Sequence, residues 1–188
     1  EEISRNLPYY DEITVEDNQA RFLHVKIKNM NIICIYLPNG NPAPGDKYEY
    51  KISWMRRLIK YTREIYEKNE PIILGGDFNV IQSEIDCYDL SKWTNDALYL
   101  EPTRKKMKEL INIGFIDSFR LLHPNLKEYS FWDYQAGAWQ KDNGIRIDFF
   151  LISPEIVDRL LNAGIDKKPR GKEKPSDHTP IWIEVENI

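Results

Sequence analysis

Three short segments of the sequence carry side chains that could together hydrolyse a phosphate ester. Each places acids, an amide or an imidazole beside or inside an apolar run: Asp77 and Asn79 after Pro71–Leu74, Asp148 within Arg146–Ser153, and Asp177 and His178 before Ile181–Val185. Strand ends present polar side chains to a shared cleft while the strand bodies stay buried. Hydrolysis of a phosphodiester needs a positioned water, a divalent ion and donors to the developing negative charge. The segments therefore predict a hydrolytic site, provided that the three strands converge.

Asp148 is flanked by Ile147 and Phe149 in a segment that reads as a central strand. A carboxylate in such a place is costly to bury without a partner. A structural pair with Arg146 or with backbone amides would satisfy it. His178 is the functional alternative, because an imidazole that donates one N–H to a carboxylate is fixed in orientation and tautomer. The sequence leaves both alternatives open.

Asp77 and Asn79 alternate with Phe78, so both side chains point to the same side of an extended segment. The preceding pair Gly75-Gly76 permits close approach of another backbone or of a ligand. A carboxylate and an amide on one side suit a site that activates water and holds a phosphate oxygen. An ordinary turn after a strand has a similar composition. Oxygen donors of this kind favour Mg²⁺ or Mn²⁺ over Zn²⁺.

Hydrophobic periodicity predicts the elements that must position these side chains. Strands are predicted at Arg21–Ile27 and Met30–Leu37, joined as a hairpin, and at Pro71–Leu74, Arg146–Ser153 and Ile181–Val185. Helices are predicted over Asp46–Lys68, from Pro102 to Gly114, and from Ser153 to Gly164. Residues 82–101 show no period and are expected to form a surface loop. This order of mixed elements favours an α/β or α+β layered domain.

The composition is that of an ordinary globular protein, with 188 residues, 41% apolar and 30% charged. No apolar run approaches the roughly 20 residues that span a bilayer. Two cysteines argue against a disulfide framework, and Cys34 is expected to be a buried free thiol in a reducing compartment. The net charge of −4 mildly disfavours nucleic acid, but basic residues cluster at 104–108 and 167–174. The cluster at 104–108 is interpreted as a solvated face.

The strings GGDFNV, GIRIDFFLIS and KPSDHTPIW occur in this order, together with IYLPNGN and YSFWDYQAGAW. They closely resemble the exonuclease III branch of the endonuclease/exonuclease/phosphatase superfamily over nearly the whole chain. The resemblance implies an α/β fold of the DNase I-like type, a four-layer β-sandwich with flanking helices, and a single domain over residues 1–188. It implies a metal-dependent DNA repair hydrolase with 3′-to-5′ exonuclease, abasic-site endonuclease and 3′-phosphatase activity.

The resemblance also assigns roles at the reacting centre. Asp77 would activate or orient the attacking water, and Asn79 would hold this water and a phosphate oxygen. Asp148 would orient His178, which would stabilise negative charge on the scissile phosphate. Tyr36, at the end of its strand, would sit beside that phosphate.

The same resemblance implies a surface for double-stranded DNA that carries abasic sites or 3′ ends. Phe131 and Trp132 would enter the duplex near a baseless sugar, and Lys172 and Lys174 would contact the DNA. Ordinary core packing is the alternative for each of the two aromatic residues. The protein is expected to be monomeric in its full-length form, to avoid membranes and to work in the bacterial cytoplasm.

The metal, Mg²⁺ or Mn²⁺, would be bound by Asp177 together with Asp77 and Asn79. Members of the superfamily carry an Asn and a metal-binding Glu on two further strands before the matching region, the Glu usually in a Gln-Glu pair. No Gln is followed by Glu here. We therefore expect an N-terminally truncated member that lacks its first strands and its principal metal ligand. The alternatives are a catalytically incomplete fragment that only binds DNA, and a phosphatase or phospholipase of the same superfamily.

Overall fold

The computed structural model describes residues 1–8, 17 and 19–186. The strands are β1 (Glu2–Ser4), β2 (Phe22–Ile27), β3 (Met30–Tyr36), β4 (Ile72–Asp77), β5 (Ile116–Asp117), β6 (Asp148–Ile152), β7 (Leu160–Ile165) and β8 (Ile181–Val185). The helices are α1 (Asp46–Tyr66), α2 (Glu101–Ile111), α3 (Ser118–Leu122) and α4 (Pro154–Val157). Short 3-10 helices lie at Glu84–Asp86, Leu90–Lys92 and Lys168–Gly171.

Six strands form one sheet in the order β1-β2-β3-β4-β6-β5, and β7 pairs with β8 in a second sheet. The β3–β4 pair is parallel and the other pairs are antiparallel. The β2–β3 hairpin turns at Lys28, which has a φ of 55°. The predicted hairpin and the mixed α/β character of the chain are therefore confirmed.

Each face of the large sheet packs against a different layer. On one face, α1 and α2 bury a large apolar cluster that includes Ile33, Leu74, Met55, Leu58, Met107 and Leu110. On the other face, Ile73 and Ile152 pack against Ile183 of β8. The strands therefore alternate between two apolar layers, and polar side chains gather where the strands end.

One predicted helix is wrong. Residues 153–164 form only the four-residue α4, and Leu160–Ile165 then pairs with Ile181–Val185 as β7. Gly164 lies against the indole of Trp182, where a Cβ atom would approach Trp182 Cζ2 to 2.6 Å. Long-range strand pairing has overridden the local helical pattern.

The prediction of a buried Cys34 is also wrong, because its side chain is exposed. Its neighbours Ile33 and Ile35 face the helices and are buried. Strand alternation therefore turns Cys34 to the opposite face, where its cross-strand partner Leu23 is 39% exposed. An apolar run alone did not show which face would be covered.

Residues 82–101 are irregular, as predicted, but part of this segment is buried rather than on the surface. Asp86, Cys87, Ala97 and Leu98 are all at most 3% exposed. Within the part of the chain that the structure describes, no helix is both long and apolar enough to cross a membrane.

Candidate active site

Tyr36, Asp77 and Asp148 lie side by side on three neighbouring strands. Tyr36 is the register partner of Asp77 across β3 and β4, and Asp77 is the partner of Asp148 across β4 and β6. Parallel β3 and β4 bring their last residues together, and antiparallel β6 brings its first residue to the same edge. Cross-strand partners point to the same face, so the three side chains share one side of the sheet.

Gly76 makes this alignment possible immediately before Asp77. Its φ is 138°, and a Cβ atom there would lie 2.0 Å from the carbonyl oxygen of Ile35. No side chain fits in that space, so β3 and β4 can approach only at a glycine. The group expected to approach Gly75-Gly76 closely is therefore the backbone of the neighbouring strand β3.

Asn79 fixes the carboxylate of Asp77. The backbone N–H of Asn79 donates to Asp77 Oδ1, and its side-chain Nδ2 donates to Oδ2, each at 2.8 Å. Asn79 adopts a φ of 48°, a left-handed conformation that asparagine tolerates better than most residues. Burial, followed by the charge of Asp148, raises the pKa of Asp77 to about 7. A carboxylate with this pKa is suited to take a proton near neutral pH.

The side chain of Asn79 is almost fully occupied by protein contacts. It is 4% exposed, donates also to the carbonyl of Leu37 at 2.9 Å, and accepts from Asn39 Nδ2 at 3.1 Å. These contacts orient Asp77, whereas the expected contact from Asn79 to a phosphate oxygen stays a prediction. Asn39 was missed, since the surrounding Pro-Asn-Gly string indicated only a turn.

His178 is held by Asp148 and faces Asp77. Its Nδ1 atom lies 2.9 Å from Asp148 Oδ2, and its Nε2 atom lies 3.9 Å from Asp77 Oδ2. Burial opposes the charge on the ring, but the hydrogen bond and the charge of Asp148 outweigh it and raise the pKa of His178 to about 9. The imidazole is therefore protonated at neutral pH and presents an N–H toward Asp77.

The structural alternative for Asp148 is excluded by the contacts of Arg146. Arg146 is 1% exposed and donates at 2.7 Å to Asp86 Oδ1 through Nε and to Asp117 Oδ2 through Nη2. Arg120 also donates to Asp86 Oδ1, at 2.6 Å. The guanidinium thus belongs to a separate buried network, and the Asp148 carboxylate bonds to His178 instead.

Ser130 bonds to the same oxygen of Asp148 as His178 does, and it was not foreseen from the sequence. Its hydroxyl donates to Asp148 Oδ2 at 2.6 Å and accepts from the backbone N–H groups of Ile147 and Asp148 at 3.2 Å. The side chain is fully buried. No spacing signal in the sequence links Ser130 to a residue 18 positions away.

The predicted metal ligands are carboxylates of the type that binds a hard cation, but only a few of them are present. Asp177 is half-buried next to His178 and helps to raise the pKa of that imidazole. Among residues 1–8, 17 and 19–186, no group of three or more Asp, Glu, His or Cys side chains could hold a metal ion. Asp77 and Asp177 supply the carboxylate oxygens that Mg²⁺ prefers, usually one or two per ion with water and substrate oxygens. Their role as ligands stays a prediction.

The two adjacent aromatic residues have different environments. Phe131 is half-buried, and its ring meets the imidazole of His178 edge-on at 5.1 Å between centroids. Trp132 is 0% exposed and donates from Nε1 to Asp142 Oδ1 at 3.0 Å. The prediction that Trp132 enters DNA is therefore wrong for this conformation: its indole is part of the core, packed edge-on against Trp139.

Lys172 and Lys174 are exposed on the loop that leads into Asp177. In the same basic segment, Arg170 is 6% exposed and donates to the carbonyl of Trp132 at 3.2 Å. The two lysines are thus free to contact a phosphate backbone, whereas Arg170 supports the fold.

Tyr36 is 50% exposed at the edge of the site. The guanidinium of Arg21 lies over its ring, 4.6 Å from the centroid, and donates to its carbonyl at 3.2 Å. The half-exposed side chain thus lies next to Asp77 at the edge of the sheet, and its contact with a phosphate stays a prediction.

A family model described as the endonuclease/exonuclease/phosphatase family matches residues 6–178. An exodeoxyribonuclease of Bacillus subtilis is 32% identical over 168 residues, which cover 89% of this chain and 64% of that relative. The chain therefore spans less than two thirds of the length of this curated relative.

Two solved structures share the fold. The 3′ phosphatase NExo from Neisseria, bound to a product DNA hairpin, has a TM-score of 0.88 and 30% identity, covering 91% of this chain and 66% of that one. An AP endonuclease from Archaeoglobus fulgidus has a TM-score of 0.89 and 31% identity, covering 100% of this chain and 72% of that one. The predicted DNase I-like fold class is confirmed by these similarities.

Proposed function

The chain belongs to the endonuclease/exonuclease/phosphatase family, and we propose that it carries the catalytic residues of a DNA phosphodiester hydrolase of base-excision repair. The proposed activities are 3′-to-5′ exonuclease, abasic-site endonuclease and 3′-phosphatase. All three reactions break a phosphate ester and require the same groups. The names of the similar proteins, an exodeoxyribonuclease, a 3′ phosphatase and an AP endonuclease, support this range.

The observation that carries the proposal is the position of the His178 imidazole between two carboxylates. Asp148 fixes one ring nitrogen, and the other ring nitrogen faces Asp77 across 3.9 Å. A cation and a base of this kind suit attack on a phosphate, because one stabilises negative charge and the other removes a proton from water.

Each residue then has a task in the reaction. Asp77, with its pKa raised to about 7, orients the attacking water and accepts its proton. Protonated His178 donates its Nε2–H to a non-bridging phosphate oxygen, where charge increases in the transition state. Asp148 and Ser130 keep the imidazole in place. Tyr36 lies beside the phosphate at the open edge of the site.

Nucleases of this family depend on a divalent metal, and we propose Mg²⁺ or Mn²⁺ for this chain. Asp177 and Asp77 would hold the ion. Asn79, which the resemblance also assigned to the metal, would support Asp77 instead, because its side-chain oxygen accepts from Asn39 Nδ2. The ion would supply positive charge to the scissile phosphate when bound.

The proposed substrate is double-stranded DNA. Phe131 borders the site next to His178 and also lines an open cavity with Tyr88, Trp93 and Ile145. A sugar without a base leaves an unstacked gap that an apolar side chain fills at little cost. Lys172 and Lys174 would contact the phosphate backbone. We further propose a monomer that works in the bacterial cytoplasm.

Binding without cleavage is a second candidate, because the described residues lack a three-ligand metal cluster. One experiment separates the candidates: incision of a duplex oligonucleotide that carries one abasic site, with Mg²⁺ and with chelator. The variant His178→Ala is compared with His123→Ala, whose imidazole bonds to the carbonyl of Ala163 outside the site.

Metal-dependent cutting that is lost in His178→Ala and kept in His123→Ala would support the proposal. Folded protein that binds the duplex but never cuts it would support the second candidate, binding without cleavage. Release of phosphate from an inositol phosphate, without cleavage of DNA, would instead indicate a phosphatase of the same superfamily.

A further inference from the structure

Lys51 is a fully buried cation that the proposed reaction does not use. It lies on the apolar stripe of α1, one turn before Met55, and its side chain is 0% exposed. An ammonium group in such a place must satisfy three N–H donors without water. The acceptors that bond to its Nζ atom therefore indicate the role of Lys51.

All three contacts are backbone carbonyls from three different loops. The Nζ atom donates to the carbonyls of Asn79 at 2.6 Å, Asn39 at 3.0 Å and Ala97 at 3.2 Å. Burial lowers the pKa of Lys51 to about 7, and the three carbonyl acceptors match the three N–H donors of its protonated form. One of these carbonyls belongs to Asn79, whose side chain fixes the carboxylate of Asp77, and another belongs to Asn39, whose side chain donates to Asn79 Oδ1.

The surroundings are shaped to admit this side chain. Gly40 has a φ of 88°, and a Cβ atom there would lie 2.6 Å from Lys51 Cδ. Asn41 Oδ1 accepts from the backbone N–H of Ala97 at 3.1 Å, which ties the same loops together beside the ammonium. The loop after β3, the loop after β4 and the segment before α2 thus meet at one cation.

The contact also explains how Asn79 keeps its conformation. Its backbone is left-handed, which is strained for a residue with a side chain. The carbonyl of this residue points at Lys51, while its N–H and side chain point at Asp77. The carbonyl, the N–H and the side chain of Asn79 are all attached through the same Cα atom, so the bond to Lys51 restrains the backbone that directs the other two groups at Asp77.

We propose that Lys51 is a positioning residue for the reaction, which holds Asn39 and Asn79 so that Asn79 aims the Asp77 carboxylate at the attacking water. This inference rests on the proposed function. It predicts a loss of turnover rather than of DNA affinity, because the groups that Lys51 holds face the reacting centre.

The test uses Lys51→Met, which keeps the unbranched side chain up to its ε position and removes the donors, and Met55→Ala as a matched core change on the same helix. In Lys51→Met, kcat on abasic duplex is expected to fall between about 10-fold and about 100-fold, as misplacement of a catalytic group does. The Kd for the duplex is expected to stay close to that of the unsubstituted chain. Met55→Ala is expected to lower stability while kcat per folded molecule is retained.

A second readout does not need activity. The side-chain amide signals of Asn39 and Asn79 in NMR spectra should shift in Lys51→Met, and the backbone amide of Asn79 should exchange faster with solvent. Both should be unchanged in Met55→Ala. If the unsubstituted chain cleaves nothing, the proposed function fails, and these signals still decide the role of Lys51.

The proposal is overturned if Lys51→Met leaves the Asn39 and Asn79 signals in place, or lowers kcat no more than Met55→Ala does. Lys51→Gln, which keeps a polar donor, is expected to lie between the unsubstituted chain and Lys51→Met in both readouts. If neither Lys51 variant folds, the cation stabilises the fold as a whole, and a specific positioning role is rejected.

Discussion

The Nε2 atom of His178 lies 3.9 Å from Oδ2 of Asp77, and the two groups have pKa values shifted in the same direction. Burial and the charge of Asp148 raise the pKa of Asp77 to about 7, and the bond to Asp148 raises that of His178 to about 9. Between these values Asp77 is ionised while His178 is still protonated. The pair is then ready to act as base and cation together.

This pair predicts a bell-shaped dependence of the cleavage rate on pH. The rate should fall as pH rises through about 9, as His178 loses its proton. The rising limb, set by ionisation of Asp77, should lie below pH 7, because the ion that Asp77 would hold favours the carboxylate. Initial rates on abasic duplex over this range give the profile. In Asp148→Asn the group that raises the pKa of His178 is gone, so the falling limb should move to lower pH. A falling limb that stays in place would contradict the assignment to His178.

The buried network around Arg146 predicts a large stability effect outside the site. Arg146→Met leaves Asp117 buried without its cation and Asp86 with Arg120 alone, so the free energy of unfolding should fall by about 3–5 kcal/mol. Urea denaturation at neutral pH measures this change. The control Lys105→Met breaks an exposed pair with Glu101 and should change stability by at most about 1 kcal/mol. Equal effects in the two variants would show that the network is not stabilising.

The same network predicts a loss of stability in acid. Burial opposes ionisation of Asp86, but the charge of Arg146 outweighs it and lowers the pKa of Asp86 below its ordinary value of 3.8. Ionised Asp86 therefore contributes stability above about pH 3.8, and this contribution is lost as pH falls through the lowered pKa. Asp86→Asn should flatten the acid limb of a plot of unfolding free energy against pH. An unchanged acid limb would assign acid unfolding to other carboxylates.

Substitutions at Phe131 and Trp132 should have different effects, the first on DNA binding and the second on stability. Phe131→Ala should weaken binding to abasic duplex by about 1–3 kcal/mol, the usual range for loss of an aromatic contact to nucleic acid. Trp132→Phe should leave binding by the folded protein unchanged, but it removes the bond to Asp142 and should lower the free energy of unfolding. Fluorescence anisotropy and urea denaturation measure the two effects. A Trp132→Phe variant that binds poorly while fully folded would reverse this assignment.

Lys172 and Lys174 should contribute salt-dependent affinity. Replacing both with Ala should weaken binding uniformly across DNA sequences and should reduce the slope of log affinity against log salt by about 2. Replacing Lys105 and Lys108 on α2 is the matched control, since the 104–108 cluster is interpreted as a solvated face. If the α2 variant loses the slope instead, the DNA contact lies on that helix.

An acid in an apolar strand showed that Asp148 needs a partner, but the family resemblance was required to name His178 as that partner. It also predicted that Asp77 and Asn79 act together, although the contact is made by the left-handed backbone of Asn79 beyond the end of β4 and not by strand alternation. The register of Tyr36 with Asp77 was beyond reach, because it depends on the pairing of β3 with β4, 41 positions apart between these residues. Ser130 was missed for the same reason, as its contact with Asp148 is made only by the tertiary fold.

The buried position of Lys51 is indicated in the sequence by its place on the apolar face of the predicted helix. A lysine on the apolar stripe of a helix, in step with Met55 and Leu58, departs from the usual pattern in which charged residues face solvent. Over Ser153–Gly164, by contrast, the local signals were used and led to a helix that the structure does not contain. There the caps and the apolar spacing were helical, but pairing with β8 and the Trp182 indole over Gly164 decided the conformation.

The line of Tyr36, Asp77 and Asp148 across three strands also limits how the gene can change in length. Adding one codon within β4 would turn Asp77 to the opposite face of the sheet and separate it from both neighbours. An added codon in the exposed turn at residues 94–95 would be absorbed more easily, because the energy of closing a loop depends only weakly on its length. Insertions and deletions in descendants of this gene should therefore collect in the connections and avoid the interiors of these three strands.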